Sequence, residues 1–130
     1  MIPNGTYIFW PRPKAIDIGL QESWYLDKVT VRGGYVNVYL TGLEIGAKYP
    51  WNAQQWQQAR ELQTIRLNVQ NTSRSWSPIR LAGITMGNDP YDGLIITFEN
   101  ITGTNFVLFS DFKNPPLELE INLDDAEYEP

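Results

Sequence analysis

The sequence predicts an all-β protein: an antiparallel β-sandwich of the immunoglobulin-like or jelly-roll type, with seven or eight strands and one short helix. Apolar and polar residues alternate in short runs, turn residues separate these runs, and the runs recur at nearly even spacing. Alternation with a period of two gives a strand one apolar and one polar face, which is typical of antiparallel sheets. The length of 130 residues suits one domain.

Eight segments are predicted as strands, and the clearest is LELEINLD, in which every second residue is leucine or isoleucine. The predicted strands are residues 6–10, 23–32, 35–45, 62–71, 78–86, 93–99, 105–112 and 117–123. Gly33 and Gly34 predict a two-residue hairpin turn between the second and third strands. Pro11 and Pro13, which follow Trp10, cannot continue a central strand, so the first strand is predicted to be an edge strand that ends at Trp10.

The segment YPWNAQQWQQAREL, Tyr49 to Leu62, carries the clearest helix signal of the sequence. Asn52 is a good N-cap, and the ten residues that follow contain no glycine, proline or β-branched side chain. A helix of about ten residues does not persist alone in water. We therefore expect a helix at about 52–62 that packs Trp56 against an open end of the sandwich.

Charge is concentrated at the C-terminus. Of the 15 acidic residues, four lie in the segment DDAEYE before Pro130, which leaves 11 acidic against 10 basic residues in the body of the chain. We expect a sandwich domain over residues 1–123 and a flexible acidic tail over 124–130. An acidic protein repels phosphate backbones, so nucleic acid is not expected as a partner.

The chain has no histidine and no cysteine. This composition excludes Ser-His-Asp and Cys-His catalysis, disulfides and cysteine-ligated metals. Neither of the common glycine-rich phosphate-binding motifs occurs, so no nucleotide cofactor is expected. The loop GNDPYDG, Gly87 to Gly93, could offer oxygens to calcium, but it lacks the EF-hand spacing and is better explained as a turn. We expect no catalytic residue, no metal and no cofactor.

Membrane insertion is also not expected from the sequence. No run approaches the 18 or so consecutive apolar residues of a spanning helix, and Met1 to Lys14 do not have the pattern of a signal peptide. We therefore expect a soluble protein, cytoplasmic or associated with a virion.

Aromatic residues are the candidate binding residues, because five tryptophans and seven tyrosines are many for this length. Tyr35, Asn37 and Tyr39 share the polar face of the third strand, where two rings and an amide could stack on and hydrogen-bond a sugar. Aromatic side chains also anchor protein interfaces, and they are core or interface residues more often than ligand sites. The predicted site residues are Trp10, Tyr35, Asn37, Tyr39, Trp51 and Trp56.

Glu118 and Glu120 point the same way on the last predicted strand, at a separation of about 6–7 Å. A glycosidase pair needs a similar distance, but it also needs a cleft that perturbs one of the acids. A solvated charged face is the simpler explanation. If the last strand paired with residues 64–70, one of these glutamates would lie opposite Arg66.

The function that the sequence favours is a non-enzymatic module for protein binding or assembly, such as a component of a virion or tail. A protein partner or self-association is expected, and neither nucleic acid nor a membrane is. The alternative is a carbohydrate-binding β-sandwich that uses the same surface tryptophans and tyrosines.

Overall fold

Two antiparallel sheets form the protein. The computed structural model describes residues 2–13, 15, 24–42, 53, 56–57, 60, 67–71, 80–86, 93–99, 101, 103–110 and 117–130. The strands within these residues are β1 (Gly5–Ile8), β2 (Tyr25–Arg32), β3 (Tyr35–Thr41), β4 (Leu67–Asn71), β5 (Arg80–Met86), β6 (Leu94–Glu99), β7 (Asn105–Ser110), β8 (Leu117–Asn122) and β9 (Glu127–Glu129). A 3₁₀ turn (Leu123–Asp125) connects β8 to β9. The prediction of an all-β, sandwich-like fold is confirmed.

The larger sheet has six strands in the order β5-β6-β3-β2-β1-β9, and the smaller has three in the order β4-β7-β8. All strand neighbours are antiparallel. The β2–β3 hairpin turns at Gly33 and Gly34, whose φ angles of 58° and 85° suit a two-residue turn with positive φ at both positions. Arg32 pairs with Tyr35 across this turn, as the sequence predicts.

The apolar faces of the two sheets supply one core. The apolar side chains that alternate along β3 and β6 are buried in it, and so are Leu119 and Ile121 of β8 and Leu123 of the adjoining turn. These residues are Val36, Val38, Leu40, Leu94, Ile96, Phe98, Leu119, Ile121 and Leu123. On β7 the opposite face is buried as well, at Val107 and Phe109, so the central strand of the smaller sheet is covered on both sides.

The predicted helix is confirmed where the structure describes it. Ala53, Trp56, Gln57 and Arg60 are all helical, and the ends of the helix lie outside the described residues. Trp56 is half-buried and packs against the core, whereas the other three side chains are exposed. One apolar face is what a short helix needs in order to be stable on a sheet.

The C-terminus differs from the sequence prediction. The segment assigned to a flexible tail contains the ninth strand, because residues 127–129 pair with residues 6–8 of β1. β1 is therefore an inner strand, flanked by β2 and β9, and the prediction of an edge strand that ends at Trp10 is wrong. Strand β9 occupies this sheet edge and presents Glu127 and Glu129, acidic side chains of the kind that blunt exposed edges.

The pairing proposed for the last predicted strand is also wrong. β8 pairs with β7, which separates it from β4, so Glu118 lies opposite Phe109 and Glu120 opposite Val107. Arg66 lies outside the described residues.

Candidate functional site

A solvent-open cleft of about 470 Å³ lies between the segment that follows β1 and the end of β8. Its lining combines an apolar floor with a polar wall of two carboxylates and one amide. The lining residues are Phe9, Trp10, Pro11, Pro13, Leu26, Glu120, Asn122 and Asp125. We call this feature the Trp10 cleft.

The apolar side of the Trp10 cleft is a short segment that β2 holds at both ends. The Phe9 amide donates to the Asp27 carbonyl at 3.3 Å, and the Leu26 amide donates to the Pro13 carbonyl at 3.1 Å. Between these two bonds, the Arg12 guanidinium pairs with the Asp27 carboxylate at 3.0 Å. Phe9 is buried in the core, where Leu26 of β2 is buried as well, so Phe9 anchors the segment.

Trp10 is the exposed residue of this otherwise anchored segment. Its side chain is 64% exposed, more than any other large hydrophobic residue in the described part of the chain. A cis peptide bond joins it to Pro11. An indole held in water by a fixed backbone presents a large apolar surface at little cost in conformational entropy on binding.

The polar side of the Trp10 cleft comes from β8 and the 3₁₀ turn. The Asn122 side chain caps the turn, accepting from the Asp124 amide at 3.0 Å. The Leu123 amide donates to the Thr104 carbonyl at 2.8 Å, and the Thr104 hydroxyl donates to the Asp124 carboxylate at 3.0 Å. Three hydrogen bonds therefore fix the turn, and Asp125 reaches the cleft from a defined backbone position.

The two carboxylates of the cleft, Glu120 and Asp125, differ from Asp27 and Asp124 in their partners. Asp124 accepts from Thr104, and Asp27 pairs with Arg12. Glu120 and Asp125 are exposed, and they form no ion pair with any residue that the structure describes. The polar wall therefore carries two negative charges that no described cation neutralises.

The predicted sugar platform on β3 has a different geometry from the one expected. The Asn37 amide donates to the Thr30 hydroxyl at 3.2 Å and accepts from the Thr97 hydroxyl at 2.7 Å. The Lys28 ammonium lies 4.8 Å from the centroid of the Tyr39 ring. Asn37 thus bridges three strands, and one face of Tyr39 carries a cation, which leaves Tyr35, 48% exposed, as the open ring of the platform.

The remaining predicted site residues, Trp51 and Trp56, do not form one site with Trp10 in the described part of the chain. Trp51 lies outside the described residues, and Trp56 packs against the core. Of the five predicted site residues that the structure describes, only Trp10 lines the cleft, together with Glu120. Asn122 and Asp125 were missed, because their place on this wall follows from the 3₁₀ turn, which no periodic pattern reveals.

A second, smaller hollow of about 270 Å³ lies where β9 meets β1. The Tyr7 and Tyr128 rings pack there with centroids 5.0 Å apart, and their hydroxyls donate to the Pro3 and Asn4 carbonyls. Burial raises the pKa of Tyr7, and the nearby Tyr128 and Asp124 raise it further.

The described residues contain neither a metal-binding cluster of side chains nor a membrane-spanning helix. Among them no group of three or more acidic side chains is placed to hold a metal ion. No helix in the described part of the chain is long and apolar enough to cross a bilayer. The calcium candidate of the sequence falls mostly outside the described residues, because residues 87–92 are among those not described.

Fold and cleft together define the class of protein: an all-β, sandwich-like protein with an aromatic and acidic cleft at the junction of its two sheets. Comparison of the chain with protein-family models, with curated proteins and with solved structures found no match.

Proposed function

We propose that this protein is a non-enzymatic assembly module, of the kind that builds a larger particle such as a virion or tail, and that it binds its protein partner through the Trp10 cleft. One observation carries the proposal. Trp10 is 64% exposed on a backbone segment that hydrogen bonds and an ion pair hold in place. Tryptophan is enriched among the few residues that supply most of the binding energy at protein interfaces.

The dimensions of the cleft support binding. Its volume of about 470 Å³ is within the range of about 300–1,000 Å³ typical of ligand sites. The apolar floor offers surface to desolvate, and the polar wall offers groups that orient a partner.

The chemistry of the chain supports a non-catalytic role. Histidine and cysteine, the usual proton shuttle and thiolate nucleophile, do not occur in the sequence. The two carboxylates of the Trp10 cleft are exposed, whereas a catalytic acid is tuned by burial or by a close charge.

Sedimentation velocity over a range of protein concentrations tests the proposal through self-association. We expect a concentration-dependent oligomer that Trp10→Ala weakens at least tenfold, or by about 1.4 kcal/mol. The matched control is Tyr35→Ala, because Tyr35 is a second exposed aromatic residue away from the cleft. A monomer at all concentrations would contradict self-association, and equal dissociation constants for wild type and Trp10→Ala would contradict assembly through the Trp10 cleft.

A second candidate function is carbohydrate binding, and the composition of the cleft favours it. An exposed indole beside an amide and two carboxylates is the combination that stacks on a sugar ring and hydrogen-bonds its hydroxyls. A carbohydrate-binding protein would stay monomeric, and its tryptophan emission would change with sugar in the wild type but not in Trp10→Ala.

A further inference from the structure

We propose that the Trp10 cleft recognises a cationic side chain, and specifically an arginine presented by the partner polypeptide. This inference rests on the proposed function and names the chemistry of the partner. It starts from the charges of the polar wall. Glu120 and Asp125 both line the cleft, and neither forms an ion pair with a residue that the structure describes.

The one cationic residue of the segment 9–13 already has a partner. Arg12 lies between Pro11 and Pro13, but its guanidinium pairs with Asp27 at 3.0 Å. A ligand that enters the Trp10 cleft therefore meets two carboxylates and no described positive charge. Charge complementarity favours a cation here over a neutral or an anionic group.

The apolar side of the cleft favours a cation on a long aliphatic stem. Phe9, Leu26 and the two prolines give the cleft an apolar lining on which methylene groups can pack, while the charged head can reach the carboxylates of the same lining. This arrangement fits the side chain of arginine or lysine better than a compact inorganic cation.

Trp10 favours arginine over lysine. A guanidinium is planar, stacks on an indole face and can donate to two carboxylates at once, whereas an ammonium is a strongly hydrated point charge. The indole is exposed, and it lines the same cleft as both carboxylates, so a guanidinium bound there can stack on Trp10 and pair with a carboxylate.

The probe for this proposal is N-acetyl-arginine amide, and its matched control is N-acetyl-citrulline amide, which has nearly the same shape and no charge. Binding is followed by the tryptophan emission of the wild-type protein and of Trp10→Phe. We expect the arginine probe to bind at least tenfold more tightly than the citrulline probe, and its affinity to fall as salt is raised. Lysine amide acetylated at its α-amine, which carries one side-chain charge as the arginine probe does, should bind more weakly than the arginine probe.

Two charge-neutralising variants test whether arginine binds at the carboxylates of the Trp10 cleft. Glu120→Gln and Asp125→Asn keep the shape of the side chain, and each should weaken arginine binding about three- to tenfold. Glu127→Gln is the control, because Glu127 is an exposed acid on β9 that does not line the cleft. All four proteins should unfold at the same denaturant concentration, which separates lost binding from lost folding.

The possible outcomes distinguish this inference from the proposed function. Equal affinity for the arginine and citrulline probes, or no effect of either cleft variant, would overturn the cation proposal even if Trp10→Ala still abolished self-association. Preference for the arginine probe in a protein that sediments as a monomer would support the cation site and overturn assembly. A change in emission with neutral sugar but not with arginine would favour the carbohydrate alternative.

Discussion

At the scale of single residues, Asn37 explains why a polar side chain that looks like a ligand contact has a structural role. It lies on the polar face of β3, where sequence alternation suggests an open surface. The register places it between Thr30 and Thr97, and its amide bonds to both. Alternation identifies the face on which a residue lies, but only the pairing of strands distant in sequence identifies its neighbours.

Tyr7 gives a residue-scale prediction about pH. Its ring is 5% exposed, and its hydroxyl donates to the Pro3 carbonyl at 2.7 Å. Burial, assisted by Tyr128 and Asp124, raises its pKa above the ordinary value of 10.0. The folded protein therefore holds this proton more tightly than the unfolded chain, so the stabilisation is complete below about pH 10 and is lost as the pH rises through the folded pKa.

The measurement is urea unfolding of wild type and Tyr7→Phe between neutral pH and about pH 11. At neutral pH we expect Tyr7→Phe to be less stable by about 1 kcal/mol, because one partly buried hydrogen bond is lost. Above about pH 10 the stability of the wild type should fall more steeply than that of Tyr7→Phe. Tyr35→Phe, at an exposed site, should keep the wild-type slope, and a Tyr7→Phe slope equal to that of wild type would refute the argument.

At the scale of elements, β9 is the strand that the sequence did not predict. The segment Glu127–Glu129 reads as an acidic tail, since two of its three residues are charged and it has no apolar period. Its position depends on β1, with which it pairs over three residues, and on the contact between Tyr7 and Tyr128. An edge strand of three residues is too short to show alternation. It can be recognised only through its pairing with β1, which the sequence does not reveal.

Gly5 provides a test of whether β9 is docked in solution. Its φ is 152°, and a Cβ at this position would lie 2.7 Å from the Glu129 carbonyl oxygen and would overlap the Tyr128 ring. We therefore expect Gly5→Ala to lower the free energy of unfolding by about 1–3 kcal/mol, as overpacking does elsewhere. Amide hydrogen exchange at Tyr128 should become faster in the variant.

Gly103→Ala is the matched control for this experiment. Gly103 also has a positive φ, 89°, but a Cβ there would meet nothing within 4 Å. Its substitution should cost only the strain of the positive φ, about 1 kcal/mol. If Gly5→Ala costs no more than Gly103→Ala, β9 is not docked and the sequence prediction of a flexible tail is the better description.

At the scale of the whole molecule, the sequence predicted most of the fold. Each of the eight predicted strands overlaps a strand of the structure, several predicted ends such as residues 62–66 lie outside the described residues, and the helix is present where it is described. These features follow from local patterns: a period of two in strands such as β6 and β8, and paired glycines at the β2–β3 turn. Strand order does not follow from such patterns, which is why the pairing of β8 with β7 was not foreseen.

The candidate site was predicted only in part, for a physical reason. Trp10 was recognised because it is a large aromatic residue at the end of the first predicted strand, outside the main predicted core. Its cleft partners come from a segment more than 100 residues later in the chain, and they reach it through the packing of two sheets. A site whose residues come from two sheets of a sandwich has no motif of fixed spacing in the sequence.

The central claim is that this protein assembles through the Trp10 cleft, and fluorine NMR tests it most directly. With 5-fluorotryptophan at the five tryptophan positions, Trp10→Phe identifies the Trp10 resonance. As protein concentration is raised through the self-association range, we expect the Trp10 resonance to shift or broaden while that of Trp24, which is buried in the core, stays unchanged. A Trp10 resonance that remains the same from the most dilute to the most concentrated sample would contradict the account.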